Sequence, residues 1–327
     1  MDINYVPYKI GGNKRLLSQR LVFVGHISVD TIENVNGKNV QPGGAALYAA
    51  IAARTLFPNV ILISATGKEN QFLDTLKLLP YRDIKIYNEA PTKFHIRYDN
   101  RWEAHYIKAE HGTGAKITSR LVSKKWLKQK SIFHISPMQP SKVVKIVERI
   151  KQNSPETMIS VNTWIDYIRE GRKNRRLLNE LAMNVDFFIL NDTEAKALAE
   201  TKSLSSAVRN LKAKRLIVTL GSLGAIISGE NIDLQNIPAL SLSPDRIVDT
   251  TGAGDVWCGA FLATYNITED FSKSVSAAST ISRIKCSDWG FQSLVNLRFK
   301  EPKDVTEFVM SLKDGVLQKK LFDYIKE

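Results

Sequence analysis

Cysteine is scarce in this chain: two residues among 327, Cys258 and Cys286, and neither belongs to a C-x-x-C pair. That spacing excludes a disulfide framework and a thiolate zinc centre, and it makes a reducing cytoplasm the expected setting. Histidine is nearly as sparse, with five residues and no H-x-x-x-H or H-E-x-x-H pattern, so a histidine-built metal site is not expected either. No apolar run reaches the roughly 18 residues of a membrane span. Residues 1–20 lack the apolar stretch of a secretion signal and read as a short N-terminal extension ahead of one domain over 21–327. Acidic side chains are outnumbered, 33 against 46 Lys and Arg, for a net charge of +13. The basic residues are scattered, with small clusters at Lys124-Lys125 and across 172–176, and no stacking motif or basic arm accompanies them, so a solvated basic surface is favoured over a nucleic-acid partner. Repeats, low-complexity tracts and linkers are also missing, which argues against a second independent domain.

What is present is an alternation. Apolar, β-branched runs at 21–25, 60–65, 131–135, 158–162, 186–190 and 215–220 are separated by helical stretches at 43–57, 119–130, 141–152, 171–184 and 203–214. Continuous apolar strands between amphipathic helices predict an α/β fold of three layers, with a mostly parallel central sheet covered on both faces. In such sheets ligands bind beyond the carboxyl ends of the strands. Two segments break the pattern. Asn36-Gly37 within 31–40 predicts a type I′ hairpin. Phe94, Ile96 and Tyr98, then Trp102, Ala104 and Tyr106, alternate around Asp99-Asn100 and predict a second hairpin with one apolar face. Together these segments, near 31–42 and 90–110, predict a small β lid at the sheet edge.

The most informative stretch is Asp249-Thr250-Thr251-Gly252-Ala253-Gly254-Asp255, which runs into a segment apolar nearly all round, as for a buried helix. A helix start exposes unpaired N–H groups and a partial positive charge, which suits a phosphoryl group. Glycine lets that backbone approach a phosphate with no Cβ in the way. A carboxylate about one turn inside, Asp255, would repel phosphate to no purpose unless it accepted a proton from an incoming hydroxyl.

These seven residues match the D-T-x-G-A-G-D signature of the PfkB, or ribokinase-like, family of small-molecule kinases, and the chain resembles that family from about residue 21 to about 294. The resemblance implies a ribokinase-like fold with a β lid inserted at the two places noted, and transfer of the ATP γ-phosphoryl group to a hydroxyl. It implies Asp255 as base, with Gly252, Ala253 and Gly254 as anion hole. It assigns Asp30, at the end of the first strand, and the pair Gly43-Gly44 to acceptor binding. Asn191 and Glu194 correspond to an N-x-x-E motif that organises Mg2+ and the phosphates, often through water, although on the residues alone Asp192 or Thr193 reads as an ordinary helix cap. Thr219, Gly221 and Gly224 correspond to a T-x-G-x-x-G loop along the nucleotide, although a plain hairpin reads equally well there. Asp249 lies where some members bind K+ through nearby backbone.

The chain also departs from the family. Tyr48 stands where an Asn commonly holds a sugar, and Pro137-Met138-Gln139 lacks a Glu that ribokinases use. Trp164 and Arg169, past a strand end, read as pocket lining, with core an equal reading for Trp164. These departures leave the acceptor open among a sugar or sugar-like polyol, an inositol and a nucleoside, since aromatics stack on sugar faces and on bases alike. A non-catalytic nucleotide-binding regulator is the alternative outside catalysis, and the intact signature argues against it. A dehydrogenase is set aside because no G-x-G-x-x-G follows the first strand. A homodimer through the lid stays open.

Overall fold

The computed structural model describes residues 20–128, 131–239 and 247–305, and residue 307. Most of the expected N-terminal extension, and the end of the expected domain, lie outside the described residues. Strand β1 (Arg20–Val24) leads into the hairpin β2 (Ser28–Asn34) and β3 (Gly37–Gly43), followed by helix α1 (Ala45–Leu56) and β4 (Val60–Gly67). β5 (Tyr81–Tyr87) precedes a second hairpin, β6 (Thr92–Tyr98) and β7 (Ala104–Glu110). The chain then alternates through α2 (Lys124–Leu127), β8 (Ser131–Ile135), α3 (Pro140–Asn153), β9 (Met158–Asn162), α4 (Ile165–Arg169), α5 (Arg172–Asn184) and β10 (Phe187–Asn191). Beyond these come α6 (Asp192–Leu198), α7 (Leu204–Asn210), β11 (Arg215–Thr219), β12 (Ala225–Gly229), β13 (Ile232–Ile237), α8 (Ala253–Thr268) and α9 (Phe271–Lys285).

The large sheet runs β13-β12-β11-β10-β9-β8-β1-β4-β5, parallel from β5 to β11 and antiparallel only at β12 and β13. Its central strands, β1, β4 and β8 to β11, are buried on both faces, which is why they read as unbroken apolar runs. Side chains alternate between two cores. Leu21 and Phe23 of β1 pack with α1, α8 and α9, whereas Val22 and Val24 pack with residues of α3, α5 and α6. β1 pairs with β4 on one side and β8 on the other, so the winding reverses there and opens a crevice at its carboxyl end.

The two hairpins join as a separate sheet, β3-β2-β6-β7, held by a parallel β2–β6 pairing. Ile32 and Ile96 are buried in it, while β7 is exposed along its length. The lid therefore forms as expected, with two local corrections. Asn34 pairs with Gly37, so Val35 and Asn36 make the turn; neither has positive φ, which rules out type I′, and only Gly37 takes φ +124°. Trp102 is a turn residue with φ +62° rather than part of a strand.

The helix expected over 119–130 is not continuous. A 3-10 turn at Ser119–Leu121 and the single turn of α2 are separated by Val122 in extended conformation, and residues 129 and 130 lie outside the described set. β5 was not expected, because Arg82, Asp83 and Lys85 break its apolar run; an edge strand needs only one buried flank and carries such charges readily.

Candidate active site

A cavity of about 670 Å3 opens where the carboxyl end of β1, the lid and the start of α8 meet. Asp30, Gly44, Asn191, Glu194, Thr219, Gly252, Ala253, Gly254 and Asp255 all line it, although they are spread over more than 220 positions of the chain.

The anion cradle is built from the start of α8. Gly252 caps the helix in left-handed conformation, φ +73°, and a Cβ there would fall 2.6 Å from the Tyr48 ring. Both constraints demand glycine. The N–H of Ala253 donates to the carbonyl of Thr250 at 3.1 Å, which leaves the amides of Gly252, Gly254 and Asp255 as the cradle's donors. At Gly254 a Cβ would meet nothing within 4 Å, so that glycine keeps space open rather than relieving a clash.

Asp255, in the first turn, is pushed up to about 6 by burial, against a hydrogen bond at 3.4 Å that its Oδ1 accepts from Nδ2 of Asn162. A carboxyl poised there is largely ionised at neutral pH yet basic enough to take a proton. Asp30, 3% exposed, is pushed up to about 7 by burial, with the charges of Asp249 and Asp255 adding to the effect. Its Oδ1 has no protein partner, nor do Thr250 Oγ1, Thr251 Oγ1 and Nδ1 of His26 nearby. Buried polar atoms left unpaired around a cavity call for a hydroxylated ligand. Gly43 does not line the cavity but is needed beside it, because a Cβ there would lie 1.8 Å from Oδ2 of Asp30.

Asn191, not Asp192 or Thr193, caps α6. Its Oδ1 accepts from the Glu194 N–H at 2.8 Å while Glu194 Oε2 accepts from the Asn191 N–H at 2.9 Å, a reciprocal capping box. This fixes both side chains in place, and both residues line the cavity. Glu194 is pushed up to about 8 by burial, and the neighbouring charges of Asp255 and Asp192 raise it further, so a bound cation would relieve it. Among the described residues no group of three or more His, Cys, Asp or Glu could hold a metal alone. The all-oxygen pair therefore fits magnesium shared with phosphates and water rather than a protein-only site.

Three further expected site residues, Gly221, Gly224 and Asp249, lie outside the cavity wall. Gly221 and Gly224 lie in the turn between β11 and β12; a Cβ on Gly224 (φ +108°) would fall 2.1 Å from the carbonyl oxygen of Ile237. Asp249 does not face the cavity. Its Oδ1 accepts from the Thr251 N–H at 2.8 Å, and its Oδ2 meets Gln41 Nε2 at 2.9 Å, the Gly290 N–H at 3.0 Å and the Lys285 ammonium at 3.2 Å. Gln139 bonds Glu170 and leaves the cavity wall to Pro137.

The lid contributes an aromatic wall that the alternation of β6 and β7 foreshadowed. Phe94, Tyr98 and Tyr106 face the cavity, and Tyr106 meets Trp164 with centroids 4.7 Å apart, which settles Trp164 as lining. Tyr167 abuts Trp164 edge-on at 5.4 Å. Tyr48, in place of the sugar-holding Asn, is a buried support: its ring lies under Gly252 and its hydroxyl accepts from Gln41 at 3.1 Å. Gln41, Asn162 and Lys285 carry no local signal in the sequence.

Known proteins resemble this chain over most of its length. The profile described as pfkB family carbohydrate kinase matches residues 18–296. A cytidine kinase of Thermococcus kodakarensis is 29% identical over 283 residues, covering 84% of this chain and 98% of its own. A ribokinase of Lactococcus lactis is 39% identical over 296 residues, covering 82% of this chain and 91% of its own. Among solved structures, a ribokinase from Giardia lamblia superposes with a TM-score of 0.73 at 19% identity, covering 88% of this chain and 99% of that one.

Proposed function

This chain belongs to the pfkB family of carbohydrate kinases, an ATP-dependent phosphotransferase acting on a hydroxyl of a sugar or nucleoside, and from that premise we propose how its residues divide the work. The observation that carries the proposal is Asp255 held at about 6 beside the free amides of a helix start. Asp255 takes the proton of the acceptor hydroxyl as that oxygen attacks the γ-phosphorus of ATP, and the bond to the departing ADP oxygen breaks. The amides of Gly252, Gly254 and Asp255 meet the charge that develops on the transferring group. Asp30 and Thr250 hold the acceptor's other hydroxyls, Thr219 lies on the nucleotide side, and the lid excludes water from the reaction. Asn191 and Glu194 are the residues that would hold magnesium, which when bound neutralises phosphate charge.

Within the acceptor class the aromatic wall favours a nucleoside over a bare sugar. Tyr106 and Trp164 offer stacking surface that a five-carbon sugar alone would leave unused, and the cytidine kinase relative phosphorylates a nucleoside by name. We read residues 21–327 as one kinase domain with a cytoplasmic setting, where ATP is supplied. A homodimer through the lid would cover its exposed Val40 and Ile107, and sedimentation at varied concentration tests it. The deciding experiment is ADP release with ATP and magnesium against ribose, myo-inositol and a nucleoside panel, beside Asp255→Asn. Turnover on a nucleoside, lost by about 100-fold or more in the variant with ATP binding kept, is expected. Equal turnover in the variant would remove Asp255 as base.

A further inference from the structure

Beneath the anion cradle lies an ion pair with both side chains wholly shielded from solvent, Asp249 with Lys285 from the last turn of α9. The Lys285 ammonium stands 3.2 Å from Asp249 Oδ2 and donates to the backbone carbonyl of the same Asp249 at 2.7 Å. Its remaining side looks onto the Tyr48 ring, 5.6 Å from the centroid. A buried ammonium survives only with such partners.

The resemblance to the family places a monovalent cation near Asp249, and the residues here do not fit one. The carboxylate and the carbonyl that a potassium ion would need are both turned onto an ammonium, and the other lone pairs of the carboxylate are spoken for by Gln41, Thr251 and Gly290. The pair is also joined to the catalytic loop. Thr251 donates to Asp249, Gly252 follows, and Gly252 rests on the ring of Tyr48, which the Lys285 ammonium faces and whose hydroxyl accepts from Gln41.

We propose that Lys285 is a built-in monovalent cation: its ammonium fixes the 249–252 segment as a diffusible potassium ion would, so this chain works without monovalent cations and Lys285 is a positioning residue for the cradle. The catalytic arm of the test rests on the kinase reading; the stability arm does not.

Unfolding midpoints and ADP release are measured for the wild type and Lys285→Ala in potassium, sodium, methylammonium or tetramethylammonium chloride at equal ionic strength. The wild type is expected to give the same rate and midpoint in all four. Lys285→Ala exposes Asp249 to an empty space, so in tetramethylammonium it should lose turnover by about tenfold or more while KM for ATP changes little. Potassium or methylammonium should restore that turnover saturably and raise the midpoint by about 5 °C at 100 times the dissociation constant. A wild-type rate or midpoint that climbs saturably with potassium overturns the proposal. So does Lys285→Ala with full turnover and an unchanged midpoint in tetramethylammonium. Should Lys285→Ala fail to fold, the neutral pair Asp249→Asn with Lys285→Met replaces it; reduced turnover with no potassium response is expected, and full turnover overturns. If neither protein turns over any acceptor but the midpoints respond as stated, the kinase reading fails and the inference on Lys285 stands.

Discussion

Replacing Asn162 by Leu should move the pH dependence of turnover without weakening the fold. The Asn162 amide is the one group found to hold Asp255 down against burial, which otherwise drives it up to about 6. A hydrogen bond to a charged acceptor is worth about 1.5–3 kcal/mol, and at 3.4 Å the lower end applies. At 1.36 kcal/mol for each pH unit, loss of the amide should raise Asp255 from about 6 to about 7. Leu keeps the volume and brings no water to solvate the carboxylate. The sign is that of a base needed in its ionised form: at pH 6.5 the ionised fraction drops from about three quarters to about one quarter, a roughly threefold loss, and at pH 8.5 the loss vanishes. The assay is kcat/KM for ATP at saturating acceptor, so that Asp30 is covered, with the variant divided by the wild type at each pH. Glu194 is common to both proteins and cancels in that ratio. A ratio that stays flat from pH 5.5 to 8.5 would refute the assignment of Asp255 as the titrating base.

Gly254→Ala fills the open space in front of a cradle amide without a backbone clash, so it should leave the thermal midpoint equal or slightly higher and still lower kcat by about 100-fold, measured by calorimetry beside turnover. Trp164→Ala should raise KM for a nucleoside about five- to 150-fold, for a stacking contribution of about 1–3 kcal/mol, while leaving KM for ribose nearly unchanged; equal effects on both would argue against a nucleoside. Stability without nucleotide or metal should fall between pH 6.5 and pH 8. In that window Asp30 and Glu194, at about 7 and about 8, hold protons only when folded, and the buried His26 and His134, at about 4 and about 3, offset part of this near pH 6.5 because they gain protons on unfolding. Raised carboxyls lose their share of stability as pH rises, here by about 2 kcal/mol, and Asp30→Asn with Glu194→Gln should flatten the slope in denaturant titrations.

Much of the fold was legible because a parallel sheet writes itself in unbroken apolar runs. β8 and β9 fall on the expected residues, β10 is displaced by one residue and β11 ends one residue early. What escaped had a different physical signature: β5 carries charges as an edge strand, and the 119–130 stretch has helical composition but breaks at Val122. The candidate reactive end of the site was legible because the proposed cradle and base fall on one local string of residues, 249–255. The capping box at Asn191 and Glu194 is likewise local, although which residue caps could not be told from a run of three competent ones.

The supporting layer was not legible, and the reason is distance along the chain. Gln41 reaches Asp249 across 208 positions, and Lys285 reaches it across 36. No periodicity or spacing reports such pairs, since each partner is an ordinary residue in its own segment. The substitution that looked like a defect, Tyr48 in place of a sugar-holding Asn, gains its meaning only from this layer: the tyrosine forms the floor on which Gly252 turns, and its ring faces the one buried ammonium beneath the loop. Three of the carboxyls that line the cavity, Asp30, Glu194 and Asp255, are each raised by burial, whereas Asp249, which faces away from it, holds a fixed cation of its own. Charge is thus left unbalanced only where a ligand will come to balance it, and the scaffold behind is neutralised in advance, so that binding energy is free to act on the reacting groups rather than on ordering the loop that holds them.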